Sequence, residues 1–443
     1  MNQQIPQTID STSVLPKIAW AKGSYLYDTS GKQYIDGSGG PAVYCIGHSN
    51  TEVNQAIVKQ LGLIAHGYRY NFTSDALEQL TDIIRQRCGG TLNHMVYVSG
   101  GSEAVESCLK LALQYHAARN DMRRRKFIAR KRSWHGNTLG ALSVSDFLER
   151  KVAFEGSLID VARVSAVDTY RPIAGATPAT LAEACAQELE NEIIRIGAEN
   201  VAAFIFEPVV GAAGGCVSAP EGYAKRVREI CDRYGVLMIA DEVMCGAGRT
   251  GWWRALEQDG AEPDIMAVAK GLAGGYMPLG VAIYNDKVAV PIDTVHGAPF
   301  TGHTFTGHTT ACAAGVAVQT IVAREKLVER VRSNEHMLKQ MISDSLQGVD
   351  AVGDIRGRGY FIGVELVADQ ATKKPFAASE MLYMKIRQKA FDNGLICYPV
   401  GGNVDGVNGD VVILSPPYNS TDAELAEMVD KMSRSIREVL AAR

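Results

Sequence analysis

An α/β fold with a mostly parallel central sheet, joined to a smaller α+β unit, is what this 443-residue sequence predicts. Three observations carry that expectation. From about residue 95 to 285, short β-branched apolar runs alternate with helical patterns, which is the signature of βαβ units and a sheet covered by helices on both faces. After 285 the rhythm changes to longer helical patterns and a few separate strands. No apolar run approaches the ~20 residues of a membrane span, so the apolar segments belong to a globular core.

Taken in order, the polar start MNQQIPQTIDSTSV has neither the charged nor the apolar region of a signal peptide, and a cytoplasmic location is expected. GSYLYDTSGKQYID reads as two strands around a Thr-Ser-Gly turn, a hairpin too small to fold alone. The first 70 or so residues should therefore pack on the C-terminal part or across a subunit interface. MVYVS, KFIAR, VAAFIFEP, VLMIAD, DIMAVAK and GVAIY predict six strands, with helices at 103–118 and 221–234 among their connections. A long helical pattern covers about 310–345. It is followed by a strand GYFIGVEL, a helix near 378–392, and the strands LICYPV and DVVILSP. A last helix spans about 421–441, opened by an N-cap within Ser420-Thr421-Asp422.

The balance of 45 basic and 49 acidic residues gives a net charge of -4, with no broad positive field for nucleic acid or an anionic membrane. The one basic run, RRRKFIARKR at 123–132, is expected to be a solvated face where a helix ends and a strand begins. Nine cysteines, an odd number with no C-x-x-C pair, read as reduced and mostly buried thiols. His296, His303 and His308 lie in a Gly/Thr-rich loop without helical register or a neighbouring carboxylate, so no metal site is expected. Small-molecule chemistry remains.

Four segments at successive strand ends carry it. Asp241 and Glu242 follow the apolar run VLMIA, and ligands of parallel α/β sheets bind outside the carboxyl ends of strands. Lys270 follows the next run and precedes Gly271, Gly274 and Gly275. It lies 29 residues beyond Asp241, about one crossover unit, so the two can share one sheet edge. A lysine there is partly desolvated, which frees its amine for Schiff-base chemistry. VSGGSEAVE is a strand, a Ser-Gly-Gly-Ser turn and a helix start, suited to a phosphate. Trp134 and His135 follow another strand, where an aromatic face can cover a planar ring. A phosphate cradle, a stacking aromatic, an Asp and a reactive Lys are together what pyridoxal 5'-phosphate requires. A rival signal, Gly246-Ala-Gly-Arg-Thr-Gly251, formally fits a dinucleotide-binding loop. Asp241 and Glu242 would then occupy its tight turn, and no clean acid follows ~20 residues on.

With GSYLYDTSGKQYIDGSGG, SGGSEAVE, WHGNT, FEPVVGAAGG, ADEVMCGAGRTG, AVAKGLAGGYMPLG, HTFTGHTTACAAG and IRGRGYFIGVEL, nearly the whole chain resembles the class III pyridoxal-phosphate aminotransferases, the ω-aminotransferase group. The resemblance implies fold type I: a large cofactor-binding domain over 71–330 and a small α+β domain from the two chain ends, 1–70 and 331–443. It implies that Lys270 carries the cofactor, that Asp241 holds the pyridine nitrogen, and that Val243 packs on one ring face with Trp134 on the other. Gly101 and Ser102 would bind the phosphate, with Thr304 reaching it from the partner subunit. His135 and Glu207 complete the implied cofactor set. A homodimer, or a dimer of dimers, is thus the expected assembly. Ala42, Val43 and Tyr44, with Tyr70 of the neighbouring subunit, are the expected pocket walls.

Two departures bear on the substrate. Met244 stands where the 4-aminobutyrate enzymes place a Gln, and Ala212 or Ala213 stands near their Glu. Many ω-aminotransferases carry a mobile Arg just before the last strand, but GGNVDGVNGDVVILSPP contains none, and Asn408 offers only a neutral amide. A second buried carboxylate needs a cation, so a small monocarboxylate such as pyruvate is the expected acceptor, with an ω-amino acid or primary amine as donor. Arg249, Arg356 or a partner's Arg69 remain as sources of the missing charge.

Overall fold

The computed structural model describes residues 15–443; the polar start discussed above lies outside them. Seventeen strands are found among the described residues. In chain order they are β1 Ile18–Lys22, β2 Tyr25–Asp28, β3 Gln33–Asp36, β4 Leu92–Val98, β5 Lys126–Arg130, β6 Ala162–Val164, β7 Val201–Phe206, β8 Val209–Val210 and β9 Val217–Ser218. There follow β10 Leu237–Asp241, β11 Ile265–Val268, β12 Gly280–Asn285, β13 Val352–Arg358, β14 Phe361–Leu366, β15 Leu395–Ile396, β16 Tyr398–Gly401 and β17 Asp410–Leu414.

The central sheet has seven strands in the order β4-β12-β11-β10-β7-β5-β6. Every residue of β7, β10 and β11 is buried, as expected for strands covered on both faces, and this is why they read as unbroken apolar runs. β12 alone runs antiparallel, to both β11 and β4. Residues 269–279 join it to β11, too few for the helical crossover a parallel neighbour needs. The helix Gly101–Ala118 packs on one face, while Leu181–Ile196 and Tyr223–Tyr234 cover the other.

A second core is built from both chain ends. β3 of the N-terminal hairpin pairs in parallel with β15, and Ile35, Leu395, Leu414 and Met428 share one apolar cluster with the helices Thr309–Arg324 and Leu327–Ser345. The early segment therefore packs on the C-terminal part of its own chain. The last helix, Asp422–Ala441, is capped by Thr421, whose hydroxyl accepts from the Glu424 amide while the Glu424 carboxylate accepts from the Thr421 amide.

Four expectations need correction. The helical pattern 310–345 is two helices, broken where Lys326 turns left-handed at φ +52°. LICYPV is two short strands in different sheets: the chain leaves the β3 sheet at Cys397 and joins β17. β1, β6 and β13 were not expected, because their sequences IAWAK, ARV and VGDIRGR are too polar or too short to alternate. The basic run is not uniformly solvated. Arg130 is 1% exposed, with its guanidinium over the rings of Phe206 and Tyr223, and it donates to the Glu207 carbonyl.

Candidate active site

A cavity of about 380 Å³ opens at the carboxyl ends of the central strands. Its floor comes from β10, whose Asp241 aligns with Ala267 of β11, so that Lys270 emerges from the next strand end three residues later. Asp241 is buried, and Lys270 is half-buried with its amine desolvated. The Asp241 Oδ1 accepts from the Val243 amide at 3.0 Å, and Oδ2 lies 2.7 Å from His135 Nδ1. His135 in turn is held by its own amide, which donates to Ser145 Oγ at 2.8 Å. Its Nε2 is buried without a partner.

Lys270 has φ +45°, a left-handed conformation that a residue with a β-carbon adopts only where its surroundings impose it. Burial holds its amine below the usual lysine value, against the pull of Asp241 and Glu207. Glu207 lies at the end of β7 and binds the Trp134 amide (3.0 Å) through Oε1 and the Gly211 amide (2.8 Å) through Oε2. Burial pushes its carboxyl up, while the nearby His135 opposes the shift. Glu207 thus fixes the loop that carries Trp134.

The third wall is the turn Ser99–Ser102. Gly100 is extended, the helix begins at Gly101, and its first-turn amides have no carbonyl partner within the helix. A β-carbon at Gly101 would lie 2.6 Å from Val243 Cγ1, so only glycine lets the turn meet the β10 loop. Gly136, at φ +140°, faces Ser102 equally closely, with a β-carbon 2.5 Å from its Oγ. Ser102 Oγ already accepts from the Asn137 amide at 3.0 Å, which ties the WHGN loop to the cradle.

Of the residues expected to hold the cofactor or wall the pocket, Val43, Gly101, Ser102, Trp134, His135, Glu207, Asp241, Val243 and Lys270 line this one cavity. Four do not line it within one chain, and two of these, Thr304 and Tyr70, were expected from the partner subunit. Ala42 is buried in an apolar cluster behind Met244. Tyr44 packs one layer back, against Gly275 and the His48 ring. Thr304 is exposed on the 298–308 loop, and its carbonyl lies 3.1 Å from His66 Nε2. Tyr70, 71% exposed, lines a separate cavity of about 720 Å³ beside Gly302 and Thr306. Met277, Pro278 and Leu279 wall the first cavity and were missed. The MPL triplet reads as strand entry, and nothing in its chemistry marks a binding role.

Residues 8–436 match the family Aminotransferase class-III. The chain is a class III aminotransferase. It is 36% identical over 428 residues to the uncharacterized aminotransferase YodT of Bacillus subtilis, covering 97% of this chain and 96% of that protein. The putrescine–pyruvate aminotransferase of Pseudomonas aeruginosa is 29% identical, over 96% of this chain and 91% of its own. Among solved structures, the aminotransferase is similar to a PLP-bound amine transaminase from an uncultivated Pseudomonas species, with TM-score 0.89 and 31% identity over 97% and 98% of the two chains. It is also similar to an (S)-enantioselective ω-transaminase from Thermomicrobium roseum, with TM-score 0.90 and 29% identity over 98% and 97%.

The cofactor of this class, and of this aminotransferase, is pyridoxal 5'-phosphate. The residues present fit it. Free helix amides at 101–102 suit a phosphate dianion, the buried Asp241 carboxylate would suit a protonated ring nitrogen, and the desolvated Lys270 amine would suit the aldehyde carbon. The fit is physical, since each donor set matches one end of the group.

Proposed function

We propose that this aminotransferase moves the amino group of an ω-amino acid or primary amine to a small monocarboxylate oxo acid, with pyruvate preferred. The donor gives up its amino group and leaves as an aldehyde or ketone before the oxo acid enters the same cavity, a ping-pong order. The observation that carries the reading is the buried Lys270 amine in one cavity with Asp241 and the Ser99–Ser102 turn. Pyridoxal phosphate, when bound, supplies an electron sink for the carbon that bears the amino group.

The chain does the rest. Gly101 and Ser102 hold the phosphate, and Thr304 of a partner subunit completes that grip, so a homodimer is the minimum active unit. Trp134 and Val243 sandwich the ring. Asp241, oriented by His135 and the Val243 amide, keeps a proton on the ring nitrogen. Lys270 Nζ removes a proton from the substrate carbon and delivers one to the cofactor side, for which a lowered pKa is an advantage. The division of the chain at residues 70 and 330 belongs to the same reading. For the acceptor, no arginine lines the cavity, which disfavours a second buried carboxylate. The pyruvate-using relative from Pseudomonas aeruginosa supports the same choice.

The test is kcat/KM for pyruvate and for 2-oxoglutarate with one good amine donor, beside a Lys270→Ala control. Pyruvate is expected to lead, and the control should bind cofactor yet turn over negligibly. Preference for 2-oxoglutarate would overturn the acceptor, and substantial turnover by Lys270→Ala would overturn the role of the lysine.

A further inference from the structure

An oxo acid brings one carboxylate into a cavity whose lining contains no arginine. The other cations expected from the sequence do not line it. Arg249 is buried and stacked on Tyr418, with Nη1 donating to the carbonyls of Tyr360 and Pro416 and with Nε and Nη2 unpartnered. Arg356 pairs with Asp354 and Glu365, and Arg69 lines the separate cavity. Asn408 is also occupied. Its side-chain amide donates to Asp405 at 2.8 Å, and its backbone amide binds the same carboxylate.

Another guanidinium lies against the cavity wall. Arg150 lies in the short helix Leu148–Lys151, with its Cζ 5.6 Å from the centre of the Trp134 ring and 5.9 Å from that of Phe147. Trp134 itself lines the cavity. Arg150 is exposed, and among the described residues its side chain makes no ion pair and no hydrogen bond. Its neighbour Lys151 is tied to the carbonyls of Ser143 and Ser145. The same short helix packs on the 402–409 loop, where a β-carbon at Gly406 would lie 3.2 Å from Leu148 Cβ. Tyr398, beside that loop, feels the positive charge of Arg150 ahead of that of Arg387.

We propose that Arg150 is the carboxylate clamp of this enzyme: a guanidinium resting over the Trp134 ring that swings to pair with the single carboxylate of the oxo acid or amino acid substrate. The inference rests on the monocarboxylate reading above and names the residue behind it. A planar guanidinium resting on an aromatic face is held without a carboxylate partner, so it can move to an incoming anion without breaking an ion pair. One clamp serves one carboxylate, and an uncharged substrate has no use for it.

The experiment compares the holoenzyme with Arg150→Gln, Arg150→Lys and Arg387→Gln, using pyruvate and the uncharged acceptor butanal with one amine donor. Arg150→Gln should lower kcat/KM for pyruvate about 10-fold or more, mainly through KM, the loss expected for one charge-assisted pair, and leave butanal within about 2-fold. Arg150→Lys should fall between, and Arg387→Gln should match the wild type. Calorimetric titration with propionate, which cannot react, should give a dissociation constant about 10-fold weaker in Arg150→Gln. Equal losses with pyruvate and butanal would make Arg150 only a prop for Trp134 and overturn the proposal. So would unchanged propionate binding, or an equal effect from Arg387→Gln. Should 2-oxoglutarate prove the better acceptor, the reading above falls, while the propionate titration still decides for or against Arg150.

Discussion

Asp241 has both carboxylate oxygens engaged by the protein, one by the Val243 amide and one by His135, so its position owes nothing to a ligand. Asn at this position keeps the shape and loses the charge. It also offers an N–H where His135 now meets an acceptor. Asp241→Asn should therefore retain cofactor and lose about 10–100-fold in kcat, the equivalent of one charged hydrogen bond of ~1.5–3 kcal/mol, measured with the better acceptor. Turnover like the wild type would place the ring nitrogen elsewhere. At this scale the sequence was informative because the residue types are rare at strand ends. Asp241, Lys270 and Trp134 each follow an apolar run. Arg150 was not legible, since LERK has no periodicity and its neighbour Trp134 is sixteen positions away.

Helix Gly101–Ala118 is anchored at both ends, by the cradle at its start and by His116 near its close. His116 Nε2 lies 2.9 Å from the Ala202 carbonyl of β7, a bond that the neutral ring makes as donor. Burial pushes its pKa down from the ordinary 6.5 to about 4. The folded state therefore binds fewer protons than the unfolded chain between those values. Stability from this group is complete above pH 6.5 and is lost as pH falls through about 4, on the order of 2 kcal/mol after allowance for partial solvent screening. Urea midpoints measured across pH 7 to 4 should fall in the wild type. His116→Gln, whose amide can still donate to Ala202, should flatten that part of the decline. A slope unchanged in the variant would mean that other groups carry the acid sensitivity.

Over the whole molecule, two cores are tied by charged side chains: Arg171 reaches from the large sheet's loops to Glu365 of β14, and Arg358 of β13 pairs with Asp259. Large apolar residues stay exposed nearby in sequence and space. Tyr68, Tyr70 and Phe72 lie on one segment and Phe300 and Phe305 on another, and the two meet where Tyr70 approaches Gly302 and His66 packs edge-on to Phe305. A patch of this kind is what the proposed homodimer needs, and it includes the loop that carries Thr304. If the partner's Thr304 completes the phosphate grip, cofactor and assembly are linked by mass action. Pyridoxal phosphate at 100 times its dissociation constant should then add about 2.7 kcal/mol and raise Tm, and dilution should release cofactor together with monomer. Sedimentation of an active, cofactor-saturated monomer would break that link.

The six main strands, and the strand ends that bring Lys270, Asp241 and the Ser99–Ser102 turn to one cavity, were all determined by the sequence itself. Their signals are local: an apolar run long enough to cross the sheet, then a polar residue at its end. Tertiary structure alone decided the rest. Nothing in AREKLVER marks the left-handed turn at Lys326, because it contains no glycine or proline and the break comes where both helices pack into one shared apolar cluster. The polar strand β13 exists because β14 offers it an edge, and Arg130 is buried because Phe206 and Tyr223, some 75 to 95 residues away, give its guanidinium two faces to rest on. Contacts of that kind join residues distant in sequence, and only the folded chain brings them together.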